Sequence, residues 1–337
     1  MADSSYHYLR PEVIPLLQSG EVFTAAPGEA TRYAYAEAIV ELGRHNPDVI
    51  VLDADVSKSM RTTDFRAEFP ERSFNFGIAE QNMMAAGAGM ATTGLIPFIS
   101  TYAVFATMRA LDQVRNSIHY PKLNVKIAAS HGGITPGPDG VTHQGQEDLA
   151  LMRAVAGSTV VAAADCPTTR KAVFAAAVWQ GPVYLSFTRD PVPHLFTDDY
   201  PFAIGKAVTV RDGSDATIVA IRDMVSQALV AAEMLAQQGL DVRVIDCHTL
   251  KPFDTEAICR AAHETGALVT AESGIIFGGL GSAVAETLVE NEPVPMQRVG
   301  VGDFFTESGP YLDLLDKYGL SARHIAQAVR NVLERQG

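Results

Sequence analysis

The sequence has no basic run, no long apolar run and few cysteines. Its 26 Lys and Arg stand against 39 Asp and Glu, a net charge of −13. A chain this acidic, with no cationic cluster, argues against nucleic acid as its ligand. No apolar stretch approaches the ~20 residues that a membrane-spanning helix needs. The opening MADSSYHYLRPEV lacks the basic and apolar regions of a secretory signal. Cysteine occurs only at Cys166, Cys247 and Cys259, an odd number with no CxxC pair. These read as reduced thiols of a cytoplasmic protein. GxxxxGK[ST], GxSxG and HExxH are all absent, as are internal repeats and low-complexity tracts.

What is present is alternation. The 337 residues suggest two domains, and 47% hydrophobic residues suffice for two cores. Short apolar runs predict strands at 49–53, 95–100, 124–130, 159–163 and 183–187. Helices are predicted between them at 29–43, 79–92, 103–118, 147–155 and 167–179. The stretch from Asp190 to Pro201 carries Pro191, Pro193 and Pro201 without periodicity and reads as a linker. Alternation resumes with strands near 216–221, 242–246, 267–271 and 296–301, and helices near 225–238, 255–265, 279–290 and 322–334. The expected fold class is α/β: two domains, each a mostly parallel sheet with helices on both faces. The expected boundaries are an N-terminal extension (1–25), a first domain (26–190), a linker (191–202) and a second domain (203–337).

Two stretches carry candidate chemistry. The first, FNFGIAEQNMM (74–84), sets Glu80 at the mouth of the small, apolar run Met83 to Gly89. Read alone, Glu80 is first a helix-capping acid, stabilised by the helix dipole. The run after it lets a helix approach its neighbours closely. Gly87-Ala88-Gly89 resembles the start of a dinucleotide fingerprint but follows a helix start and lacks the third glycine. Gly278-Gly279-Leu280-Gly281 reads as a tight turn opening a helix. The second stretch, SHGGITPGPDGVTHQGQ (130–146), follows a predicted strand and holds His131, Asp139 and His143. Ligands gather at such strand ends, and a long polar loop there is more often functional than structural. The spacing of His131 and His143 fits no standard zinc pattern.

GIAEQNMMAAGAG, PFISTYAVFATMRALDQVRN, HGGITPGPDGVTHQGQEDLALMR and PVYLSFTRD, in this order, resemble the pyrimidine-binding domain of the transketolase family. LKPFD (250–254) and GGLGSAVAE (278–286) are similar to the family's C-terminal domain. The resemblance runs from about Thr24 to the end. 1-Deoxyxylulose-5-phosphate synthases share GIAEQ and the THQG element.

The resemblance implies thiamine diphosphate as cofactor, with Glu80 hydrogen-bonded to its aminopyrimidine so that the cofactor can lose its C2 proton. Dry surroundings suit such a carboxyl group. Phe105 is implied to face the pyrimidine, with Tyr102 near its edge. The family's third aromatic falls at Met108. Asp55 is implied near the thiazolium ring, with Asp53 as the competing choice. Arg32, Ser59, His131 and Arg189 match positions that hold a sugar phosphate, and guanidinium groups suit that task. Asp139 and His143 match residues that bind substrate hydroxyls, and His143 and His131 are implied to help move protons. Ile221-Arg222-Asp223-Met224 departs from the small-residue element usual in the family.

The family's diphosphate-binding domain carries a GDG motif that holds Mg²⁺, and no GDG occurs here. The resemblance therefore implies the C-terminal half of a split transketolase, needing an N-terminal partner subunit for Mg²⁺ and diphosphate. It also implies self-pairing within an α₂β₂ assembly that transfers a two-carbon ketol unit from a ketose phosphate to an aldose. The alternatives are a deoxyxylulose-phosphate synthase-like subunit, a 2-oxo-acid dehydrogenase β-like subunit or a non-catalytic regulatory relative.

Overall fold

The computed structural model describes residues 5–26 and 28–336. Its two main sheets define two α/β units. The first sheet runs, in spatial order, Thr249–Lys251, Thr159–Val161, Val183–Ser186, Lys126–Ser130, Ile96–Tyr102, Val49–Asp53, Ser73–Asn75. Its neighbours are parallel except for Thr249–Lys251, an antiparallel edge strand lent by the second unit. The second sheet runs Met296–Val301, Leu268–Ile275, Ala216–Ala220, Val242–Asp246 in parallel, then Val208–Arg211 antiparallel at the edge.

Central strands are buried on both faces, which is why they read as unbroken apolar runs. In Val49–Asp53 the side chains alternate: Val49 and Val51 pack with Tyr35, Ile39 and Val173, while Ile50 and Leu52 pack with Met83, Met84 and Ile99. The second group is continuous with Val219, Ile245 and Leu280, so the two units share one core. The helix Glu80–Ala91 lies tight on this face. A Cβ on its Gly87 would stand 2.5 Å from Ile99 Cδ1, the close approach that the small-residue run predicts.

Several elements differ from the sequence reading. Leu9, Val13, Leu17 and Val22, in the segment expected as an extension, are buried in the core of the second sheet, and Ile14–Ser19 packs against Met224–Ala236. Within residues 191–202, Val192–Pro193 pairs with Gly28–Glu29, and Leu195, Phe196 and Tyr200 are buried. The helix expected over 103–118 is interrupted: π turns at Phe105–Arg109 and Val114–His119 flank Leu111–Gln113. Each π turn takes in one residue more than an α turn and so rotates the next stretch of helix about its axis. Val208–Arg211, Thr249–Lys251 and the short helices Ser57–Met60 and Thr62–Glu68 are too brief to show a period. No helix among the described residues is long and apolar enough to cross a membrane.

From Val49–Asp53 the chain moves to one side for Ser73–Asn75, then back past it for Ile96–Tyr102. Such a reversal opens a crevice at the carboxyl ends of the strands. Asp53, Asn75, Tyr102, Ser130 and Ser186 end strands on that edge, and every candidate residue but Arg32 lies at those strand ends or in the loops and helix starts that come after them.

Candidate active site

Glu80 opens its helix but does not cap it. Its side chain is 2% exposed, and Arg109 Nη1 donates to both its oxygens, at 3.0 and 2.9 Å. Arg109 comes from the π turn Phe105–Arg109, and its guanidinium carbon stands 4.2 Å from the centre of the Phe105 ring. One planar cation thus covers the ring and holds the acid together. Arg109 itself is 45% exposed. Met108, where the family's third aromatic is expected, is 43% exposed.

A second cluster adjoins Phe105. Tyr102 stacks on His131 with ring centres 3.8 Å apart, and His143 lies 5.8 Å from Tyr102 and 5.7 Å from Phe105. His131 has a left-handed backbone (φ 68°), and its Nδ1 is 2.6 Å from Ser130 Oγ. Burial, helped by the neighbouring charges of Arg32, Arg189 and His143, drives the His131 pKa down to about 2, so the ring is neutral at any working pH.

The polar residues expected around a sugar phosphate fall in two groups of contacts, Arg32 with Ser59 and Arg189 with Asp139 and His131. Arg32 is buried, and its Nη1 donates to Ser59 Oγ at 2.8 Å. Among the described residues its buried Nε has no acceptor. Arg189 donates to Asp139 from Nε at 3.1 Å and Nη2 at 3.3 Å, and to Asp190 from Nη1 at 2.7 Å. Asp139 Oδ2 also lies 3.5 Å from His131 Nε2. Asp53 is buried, and its Oδ2 accepts from Arg66 at 2.9 Å. Asp55 is exposed, with a left-handed backbone (φ 63°) and its N–H shared between Asp53 and Asn75. Of the two acids, Asp55 is the one left open to a ligand.

The 130–146 loop is clamped by the second unit. Ile134 N–H donates to Ser273 O, Ile275 N–H to Gln146 O, and Gln146 Nε2 to Thr306 Oγ1. Arg222, unexplained in the sequence, sits beneath it. Its guanidinium is 1% exposed and reaches Asp148 (3.4 Å) and Ser186 (2.8 Å) in the first unit, and Asp223 (3.0 Å) and Ser273 (2.9 Å) in its own. A Cβ on Gly132 or Gly133 would come within 2.2 or 2.3 Å of its nitrogens, so both glycines are needed beside His131. Arg222→Met strands the Asp148 and Asp223 carboxylates in the core. We expect a loss of about 3–5 kcal/mol, read as an earlier midpoint in urea unfolding. A loss below about 1 kcal/mol would contradict the bridging role.

Arg109 is the residue that sequence reasoning missed, and Arg222 is one that it singled out as a departure without a role. Neither position has a residue-type signature, and the π turn that aims Arg109 is invisible to periodicity.

The fold is that of a two-domain α/β protein with its crevice over the first sheet. Residues 28–194 match the transketolase pyrimidine-binding domain and residues 205–325 the transketolase C-terminal domain, so the chain belongs to the transketolase family, which depends on thiamine diphosphate. Within that family it is a C-terminal subunit. It is 42% identical over 305 residues to a 6-deoxy-6-sulfo-D-fructose transketolase subunit of Clostridium sp. strain MSTE9, covering 90% of this chain and 95% of that one. It is 41% identical over 308 residues to a putative transketolase C-terminal section of Methanocaldococcus jannaschii, covering 90% and 96%. A solved structure described as a split gene transketolase, inactive beta4 tetramer, superposes with a TM-score of 0.85 at 50% identity, covering 92% of this chain and all of that one.

Proposed function

We propose that the chain supplies the pyrimidine side of the active site in a split transketolase, which moves a two-carbon ketol unit from a ketose phosphate to an aldose. The observation that carries this reading is the shared contact of Glu80 and Phe105. A buried carboxylate and a ring face meet one planar nitrogen donor, here Arg109. An aminopyrimidine is also planar, and its ring nitrogen accepts from a protonated carboxyl group, so the residues fit the cofactor. Glu80, in its protonated form, would donate to a ring nitrogen, Phe105 would lie against the ring's face, Tyr102 and His143 would border it, and Asp55 would lie near the thiazolium. When bound, thiamine diphosphate supplies the carbon nucleophile that the side chains lack. The protein's part is to orient the ring, to keep water away and to hold a proton at Glu80.

The substrate's anionic end falls to Arg32, Ser59, His131 and Arg189. Among the described residues the buried Nε of Arg32 has no acceptor, and an incoming oxyanion would supply one. A relative named for a sulfonated fructose fits a ketose with an anionic terminus, whether phosphate or sulfonate. Asp139 and His143 are left to read hydroxyls and His143 to move protons, while His131, expected from the resemblance to share that task, is held neutral and is left to hydrogen-bond the substrate. Mg²⁺ and the diphosphate would be held by an N-terminal partner carrying GDG, in an α₂β₂ cytoplasmic particle.

Arg189→Ala should weaken phosphorylated donors about tenfold to a hundredfold, the worth of a charge-assisted contact of about 1.5–3 kcal/mol. His131→Ala should cost less, about tenfold, because its ring is neutral. A ketose without the anionic group should be nearly indifferent to both changes. Equal losses on both donors would show that these residues hold structure only. The same assays distinguish the reaction: the assembled enzyme should transfer a ketol unit and release no CO₂ from pyruvate.

A further inference from the structure

We propose that Arg109 is a resident competitor for the pyrimidine seat, and that it sets how readily the chain takes up its cofactor. The inference rests on the proposed roles of Glu80 and Phe105. Three observations carry it. Arg109 makes both contacts asked of the incoming ring: its guanidinium lies 4.2 Å over Phe105 and donates to both oxygens of Glu80. Two planar groups cannot occupy one ring face and one carboxylate at once, so the guanidinium leaves when a pyrimidine enters. Arg109 is also free to leave. It is 45% exposed, and among the described residues its side chain hydrogen-bonds to Glu80 alone.

The local backbone explains why an arginine at this position reaches the seat. Arg109 ends the π turn that begins at Phe105, and the N–H of Ala110 closes that turn on Phe105 O at 3.2 Å. The wide turn stacks the long side chain back over the ring that starts it. The arrangement has a use. Without a ligand, Glu80 would be a buried carboxylate with no partner, a costly state. Arg109 satisfies it while the seat is empty, and its half-exposure keeps the hold weak enough to break.

The test uses a probe that needs neither the diphosphate site nor turnover. 4-Amino-2,5-dimethylpyrimidine is titrated into the full chain and followed by ligand-observed NMR, with Arg109→Ala, Arg109→Lys and Arg109→Ala/Glu80→Ala beside the wild type. Arg109→Ala should bind the probe about tenfold more tightly than wild type, in the millimolar range expected of so small a ligand. Arg109→Lys should fall between, since lysine keeps the charge but cannot stack as a plane. The double variant should lose the gain. Binding by Arg109→Ala that is no tighter than wild type, or absent, overturns the competitor role. If the double variant binds as well as Arg109→Ala, Glu80 does not seat the pyrimidine, and it is the underlying functional reading that fails.

Discussion

Glu80→Gln will leave the fold intact and lower ketol transfer by orders of magnitude. Glutamine keeps the volume of the side chain and its hydrogen-bonding reach, and the Met83, Met84, Gly87 and Ala88 packing of the same helix is untouched. What is lost is a carboxyl group that can take and return a proton. The loss should therefore appear in kcat more than in KM, and hydrogen–deuterium exchange at C2 of the bound cofactor should slow in step. Unchanged exchange in Glu80→Gln would remove Glu80 from the chemistry and return it to the simpler reading of a buried acid paired with Arg109.

The parts of this protein that are legible in its sequence are those in which one physical requirement dominates a stretch. Val49–Asp53, buried on both faces, has to be apolar almost throughout, and its ends coincide with those of the apolar run. The small residues after Glu80 permit close approach, and Gly87 against Ile99 is that approach. Elements set by long-range contact are not legible. Thr249–Lys251 is a strand because Thr159–Val161 offers it an edge. Leu9, Val13 and Leu17 keep a four-residue spacing, but only the second sheet makes them core. In the site, the resemblance gives His131, His143, Tyr102 and Phe105 separate roles and no mutual contacts, and the ring contacts that join them emerge only in the fold. Sequence alone does not show that Asp53 is taken by Arg66 while Asp55 is open. Nor does it show that Glu80 already has an arginine partner, because that contact depends on a one-residue π insertion.

The second large effect concerns assembly. The isolated chain should be folded and self-associated but inactive. The chain offers Glu80, Phe105 and the arginines Arg32 and Arg189, and its sequence has no GDG to hold Mg²⁺ and a diphosphate. Apolar side chains close in sequence to Glu80 and to its partner Arg109 are exposed: Ile78 is 77% exposed, Phe74 37% and Met108 43%. Exposed patches of this kind mark interaction surfaces, and an obligate partner commonly buries about 2,000 Å² or more. A chain carrying the GDG domain should therefore restore activity from none to full, a larger change than any single substitution within this chain.

The most direct measurement is calorimetry of thiamine diphosphate with Mg²⁺, titrated into the chain alone and into the chain mixed with a GDG-bearing N-terminal subunit. The account predicts no measurable heat for the chain alone, and saturable binding together with ketol transfer once the partner is present. Micromolar binding and ketol transfer by this chain alone would contradict it, because the diphosphate site would then have to lie within these residues.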